Sequence, residues 1–188
     1  MFLRFKLYSK PKMRLYFHSI NNLTEARFAA ACLPDYIGFN FSPKAPNYIS
    51  PVEFSKIQSW LSGSEIVGQF TLEPLKDIEP LLASFNIYTV EVLPEHPQIQ
   101  DFLDLGLKVI LKNPSQHFKH LPYRCAKIED YLIHTEQGFL EIEPSDSSLE
   151  FIQSNNIENI ALAGKSENEA GLADLADWSN LMEALEIF

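Results

Sequence analysis

A closed (β/α)8 barrel is the fold this sequence predicts, and three observations predict it. Runs rich in β-forming residues alternate with helix-patterned stretches at least five times along the chain. The second run, DYIGFNF, is apolar on both faces except for Asn40, as a strand buried in a parallel sheet is. HSINNLTEA (18–26) follows the first run where an open dinucleotide-binding sheet would carry a glycine-rich phosphate loop. With 188 residues, 46% of them apolar, the chain can bury one sizeable core, so residues 13–188 are expected to form a single barrel domain.

The elements follow in order. RLYFHSI (14–20) is the first strand, and NNLTEARFAAACL is the first helix, with Asn22 or Thr24 as its cap. After the second strand (35–41) and the loop SPKAPNYIS, Ser50 and Pro51 open the helix VEFSKIQSWL, whose Phe54, Ile57 and Trp60 fall at core-facing spacing. EIVGQFT (65–71) is the third strand, followed by EPLKDIEPLLASFN, a helix that Pro80 would kink. YTVEVL (88–93) is the fourth, and its helix PQIQDFLDLG ends on Gly106 as a natural cap. KVILKN (108–113) is the fifth and EDYLIHT (129–135) the sixth. Too little chain separates His134 from Ile157 for a full helix, strand and helix, so one helix between strands 6 and 8 is expected to be trimmed. FLEIEP then becomes a shortened strand 7, SSLEFIQSN its helix, and IENIALAG strand 8. Trp178, Leu181, Met182 and Leu185 mark the buried face of the last helix.

Charge and cysteine content narrow the function classes. A formal net charge of -10 repels phosphate backbones and anionic membrane surfaces, so neither nucleic acid nor membrane is an expected partner. Cys32 and Cys125 lack paired spacing, and no apolar run is long enough to span a bilayer, which together fit a cytoplasmic protein. Residues 1–12, basic and partly apolar, are either an N-terminal extension or a start assigned too far upstream, and carry no functional weight. The basic connector with Lys112, His117, Lys119, His120 and Arg124 is a solvated surface by this reading.

RLYFHSINNLTEARFAAACLPDYIGFNFSPKAPNYISPVEF, then EIVGQF, resembles the opening βα units of phosphoribosylanthranilate isomerase, a TIM-barrel family of tryptophan biosynthesis. The C-terminal GKSENEAGLADLADWSNLMEALE resembles that family's closing segment. The resemblance is distinctive at both ends and faint in the middle. It implies an Amadori rearrangement, an aldose-to-ketose shift that needs one general acid and one general base. The family's base is a cysteine at the end of strand 1, where this chain has His18; its acid is an aspartate at the end of strand 6, where YLIHT places His134. The loop arginine that meets the substrate's carboxylate is here Asn47, beside Lys44 in SPKAPNYIS. The phosphate loop after strand 8 is reduced to ALAGKSENEAG, leaving Gly164 and Lys165 to approach an anion.

The resemblance thus implies catalytic roles for His18 and His134, and substrate-binding roles for Lys44, Asn47, Gly164 and Lys165. Imidazoles titrate near neutral pH, so such a pair could move protons on a sugar or keto acid. They could also bind a metal, with Glu91 or His96 as a third ligand, but no HxH or HxxxH spacing supports this and neither metal nor cofactor is expected. Two function classes stay open: an isomerase of a small phosphosugar, and an inactive or repurposed barrel that binds a small ligand or a protein partner. A homodimer would cover apolar surface exposed on the trimmed side.

Overall fold

The computed structural model describes residues 13–114, 121–132, 136–165 and 175–187. Eight parallel strands close into a barrel in chain order, with the first strand paired to the eighth over its whole length, Arg14 opposite Asn159 through His18 opposite Ala163. The first half consists of regular strand and helix pairs: β1 (Arg14–His18), α1 (Leu23–Ala31), β2 (Tyr36–Asn40), α2 (Pro51–Gln58), β3 (Glu65–Gln69), α3 (Leu75–Phe85), β4 (Thr89–Val92) and α4 (Ile99–Asp104). The second half is leaner: β5 (Lys108–Lys112), β6 (Tyr123–Cys125), α5 (Ile128–Tyr131), β7 (Gly138–Glu141), α6 (Asp146–Ser154), β8 (Asn159–Ala163) and α7 (Ala176–Ala184). None of the described helices is long and apolar enough to cross a membrane.

Local chemistry sets the helix ends. The Asn22 side chain accepts the Glu25 N–H at 2.9 Å and caps α1. Ser50 and Glu53 form a reciprocal capping box around Pro51 at the start of α2. Asn86 ends α3 in the left-handed region at φ 52°, and Gly106 follows α4 at φ 78°. The helix α3 runs on through Pro80, short of one backbone hydrogen bond but unbroken.

Three expectations need correction. The sixth strand lies at Tyr123–Cys125, and the stretch read as strand 6 (129–135) instead contributes most of the single helical turn α5. Its β-forming Tyr131 and Leu132 misled the reading. Tyr131 is in fact fully buried, and its hydroxyl accepts the N–H groups of Glu158 and Asn159 at the entry to β8. This one turn stands where a full helix would pack, so the trimming falls after β6 while α6 keeps nine residues. Trp60 lies beyond the end of α2 and is 53% exposed, with the Arg27 guanidinium 4.9 Å over its ring, while Phe54 and Ile57 are buried as expected. Arg124, read as part of a solvated basic surface, is 2% exposed inside the barrel.

Two buried zones result. Outward-facing strand residues such as Phe17, Phe39, Val90, Leu111 and Leu162 pack against Ala29, Phe54, Leu82, Phe102, Ile152 and Trp178 of the helices. Phe54 alone meets Phe39, Phe41 and Phe85 at centroid distances of 4.7, 5.2 and 4.9 Å. Each such aromatic pair adds about 0.5–1.5 kcal/mol to the burial itself, which fixes α2 to β2. Inside the strands a thin apolar layer of Tyr16, Val67, Ile110, Phe139 and Ala161 forms the floor of the mouth. Gly38 makes room for it, since a Cβ there would sit 2.8 Å from the Tyr16 hydroxyl.

Candidate functional site at the barrel mouth

Alternation along the strands turns a further set of side chains into the same interior, nearer the C-terminal end; on β1, β3 and β7 these stand two residues beyond the floor positions Tyr16, Val67 and Phe139. The residues there are His18 on β1, Gln69 on β3, Glu91 on β4, Arg124 on β6 and Glu141 on β7. Arg124 grips Glu91 with two hydrogen bonds, Nε to Oε2 at 3.0 Å and Nη2 to Oε1 at 2.9 Å, and its Nη1 reaches Glu141. Tyr16 donates its hydroxyl to Glu91 Oε2 at 3.0 Å, and the Gln69 amide donates to Oε1 at 2.7 Å. Burial by itself would raise the Glu91 carboxyl, but the Arg124 charge and hydrogen bonds outweigh it, helped by Gln69, and hold it down to about 2. Burial likewise works against the Arg124 guanidinium, and Glu91 overrides it and keeps the charge in place. The Tyr16 hydroxyl is pushed well up by burial and by Glu91 beside it, so it stays a proton donor.

His18 lies at the edge of this network, 3% exposed. Burial, then the positive charge of Arg124, depress its imidazole well below the ordinary histidine value, so the ring is neutral. Nδ1 lies 3.1 Å from the Ser19 hydroxyl, while Nε2 is buried with no hydrogen-bond partner. Glu141 Oε2 lies 3.7 Å from Nε2; with a neutral ring this is a polar contact and not an ion pair. The backbone around His18 is tightly fixed. Ser19 adopts φ 56°, a strained value for serine, and its N–H donates to Gln69 Oε1 at 2.7 Å. The His18 carbonyl accepts the Gly164 N–H at 2.7 Å.

The loops bring two more expected residues to this corner. The segment after β2 is stiffened where Asn40 accepts the Ser42 N–H at 3.0 Å and Ser42 Oγ accepts the Thr71 N–H at 3.1 Å. From it Asn47 reaches across β1 and donates to the Gly164 carbonyl at 3.1 Å. Lys165 turns its backbone N–H inward to Glu25 Oε1 at 2.8 Å, while its ammonium lies 3.3 Å from Asp177 at the start of α7. Glu25, in the first turn of α1, is completely buried. A Cβ on Gly164 would lie 2.5 Å from the Ser19 carbonyl oxygen and 2.9 Å from Glu25 Oε2, so only glycine fits where these loops cross.

His18, Asn47, Gly164 and Lys165 therefore share one corner of the mouth. Lys44 sits on the exposed outer turn of the β2 loop, and His134 lies outside the described residues. Neither residue considered as a third metal ligand is available for one. Glu91 is engaged by Arg124, Tyr16 and Gln69; His96 accepts the Gln98 N–H at Nδ1 and contacts the Glu73 carbonyl through Nε2 at 3.1 Å. Among the described residues no group of three or more His, Cys, Asp or Glu side chains could hold a metal ion. The sequence reading missed Arg124, Gln69, Glu141 and Glu25. For Gln69 and Glu141, the only available signal was their place two residues beyond the inward-facing Val67 and Phe139; Arg124, on a three-residue strand, carried no such signal.

The arrangement offers a neutral imidazole with a free Nε2, a Glu141 carboxylate 31% exposed beside it, and a guanidinium that holds both carboxylates in place. Such a set can accept or return a proton from a group that reaches Nε2. Asn47 is neutral and Arg124 is bound on both sides, so neither supplies a free positive charge for an acidic ring, while Lys112 at the end of β5 is a cation near enough to bear on His18.

No protein-family model matches the sequence, and no curated protein matches it. Solved structures do match in fold. The chain is similar to a phosphoribosylanthranilate isomerase in complex with reduced 1-(o-carboxyphenylamino)-1-deoxyribulose 5-phosphate, with a TM-score of 0.74 at 19% identity over 93% of this chain and 99% of that one. It is similar to the isomerase from Thermotoga maritima, with a TM-score of 0.73 at 18% identity over 94% and 100% of the two chains. The isomerase from Thermus thermophilus gives 0.72 at 18% identity over 93% and 98%. The closed eight-stranded barrel of this chain is that of the phosphoribosylanthranilate isomerase structures, carried by a strongly divergent sequence.

Proposed function

We propose that this protein is a repurposed, phosphoribosylanthranilate-isomerase-like barrel of the cytoplasm that binds a small ligand at its mouth and does not carry out the Amadori rearrangement. The observation behind this reading is the self-contained network of Arg124, Glu91, Glu141, Gln69 and Tyr16, which binds charge to charge inside the barrel. With His18 in place of the family's cysteine and Asn47 in place of its arginine, the base and the carboxylate anchor that the resemblance implies are both replaced. Losing such groups without replacement costs many orders of magnitude in rate. Complementation of a tryptophan auxotroph lacking the isomerase tests this: no growth is expected. Robust growth that His18→Ala abolishes would overturn the proposal.

One observation favours a second reading, an aldose–ketose isomerase of tryptophan biosynthesis or of a related phosphosugar. His18 stands at the end of β1, neutral and with Nε2 unpartnered, as a general base should. On this reading purified protein interconverts aldose and ketose phosphates, and His18→Gln abolishes turnover while leaving the fold intact by circular dichroism. A homodimer would cover the thin side around α5, where Leu132 is 53% exposed; light scattering should then give twice the 21.5 kDa chain mass.

A further inference from the structure

We propose that Glu25 is a built-in anion seated on the backbone amide that follows β8, and that it makes the barrel mouth discriminate against phosphate there. In barrels of this architecture the loops after the last strands, with their inward backbone N–H groups, form the usual place for a phosphate. In this chain the amide of Lys165 already has an acceptor, Glu25 Oε1 at 2.8 Å. The second oxygen, Oε2, packs over Gly164, lying 2.9 Å from where a Cβ would be.

Several features agree with a carboxylate placed for its charge. Glu25 is fully buried, an arrangement that is costly for a carboxylate unless backbone donors and a favourable field meet it. Both are present: the Lys165 N–H, and the first turn of α1, whose end is fixed by the Asn22 cap. The one cation on this loop is drawn away, since the Lys165 ammonium lies by Asp177 on α7. Asn47 closes the corner from the other side through the Gly164 carbonyl. A phosphate approaching the Lys165 amide would meet the Glu25 negative charge at contact distance, and the two would repel. The inference goes beyond the loss of the Amadori reaction, because it concerns the charge the mouth accepts and stands whether or not catalysis survives.

The test is binding of inorganic phosphate to the full chain at constant ionic strength, followed by thermal melting and by the Lys165 amide resonance in nuclear magnetic resonance. The wild type is expected to show no phosphate-dependent rise in melting temperature and no movement of that resonance. Glu25→Ala should gain both, with stabilisation growing as the logarithm of phosphate concentration above its dissociation constant. Glu25→Gln keeps an acceptor for the Lys165 N–H and removes the charge. It should gain a smaller response, and it decides the matter should the alanine variant not fold. Saturable phosphate binding at the Lys165 amide of the wild type would overturn the proposal, as would a folded Glu25 variant whose Lys165 amide stays blind to phosphate.

Discussion

The two buried zones of this barrel are built from opposite materials. Between strands and helices, Phe17, Phe54, Phe102 and Trp178 pack in one apolar cluster of aliphatic and aromatic side chains. Inside the strands, a single apolar floor supports a layer in which Arg124, Glu91 and Glu141 hold one another. The outer zone depends only on area and shape, so many sequences can fill it. The inner layer depends on matched charges, so it tolerates change only in concert. An outer zone of that kind accounts for a chain 18–19% identical to the isomerase structures sharing their barrel.

The sharpest way to probe the contrast is to unpair the inner layer. Arg124→Met strands Glu91 as a buried charge and should cost about 3–5 kcal/mol in urea unfolding, and adding Glu91→Leu should return most of it. Failure of the double variant to recover would show that the layer is held by shape and not by charge. Phe54→Ala in the outer zone should cost a comparable amount, about 3–5 kcal/mol, through the cavity it leaves. No charge-matched partner exists to rescue it, so its effect should add to that of Arg124→Met within about 0.5 kcal/mol.

Acid should act most strongly on the inner layer. Glu91 ionises at about 2 in the fold and near 4.3 when unfolded, so its contribution is complete above the unfolded value and disappears as pH falls toward 2. Its size is on the order of 3 kcal/mol, and Glu91→Gln should flatten the stability curve across that window. His18 acts earlier. Its imidazole is held neutral in the fold, so the unfolded chain takes up the proton first and stability declines as pH drops below about 6.5. His18→Gln should remove that first slope and leave the second. The smallest effect expected is that of Asn47→Ala, which deletes the bond to Gly164 and should cost about 1 kcal/mol by chemical denaturation.

The outer zone was legible from sequence and the inner layer was not. Apolar runs such as YIGFN and KVILK announce strands because both faces are buried, and the caps at Asn22, Ser50 and Gly106 follow from local hydrogen bonding. β6 has three residues, too few for any period to register, and Tyr131 and Leu132 just after it mimicked the strand it was mistaken for. Arg124 looked like one more surface cation because its partners Glu91 and Glu141 are distant in sequence and meet it only through strand pairing in the folded sheet. Glu25 was invisible for the same reason: a glutamate in a helix's first turn is an ordinary choice, and only the β8 loop lying over it shows that it is buried. Trp60 failed the other way, since helical spacing continued past the point where α2 ends.

The placement of Arg124 also bears on how long a folded molecule lasts. Its bonds to Glu91 and Glu141 tie β6 to β4 and β7, so they and the pairing of β1 with β8 need the second half of the chain in place, whereas Phe54 gathers partners from the first half. Contacts that arrive after the rate-limiting step slow escape from the native state without hastening arrival. In stopped-flow chevrons, losing Arg124 should therefore steepen the decay of the native state and leave refolding nearly unchanged, so the closing charges act as a latch on lifetime.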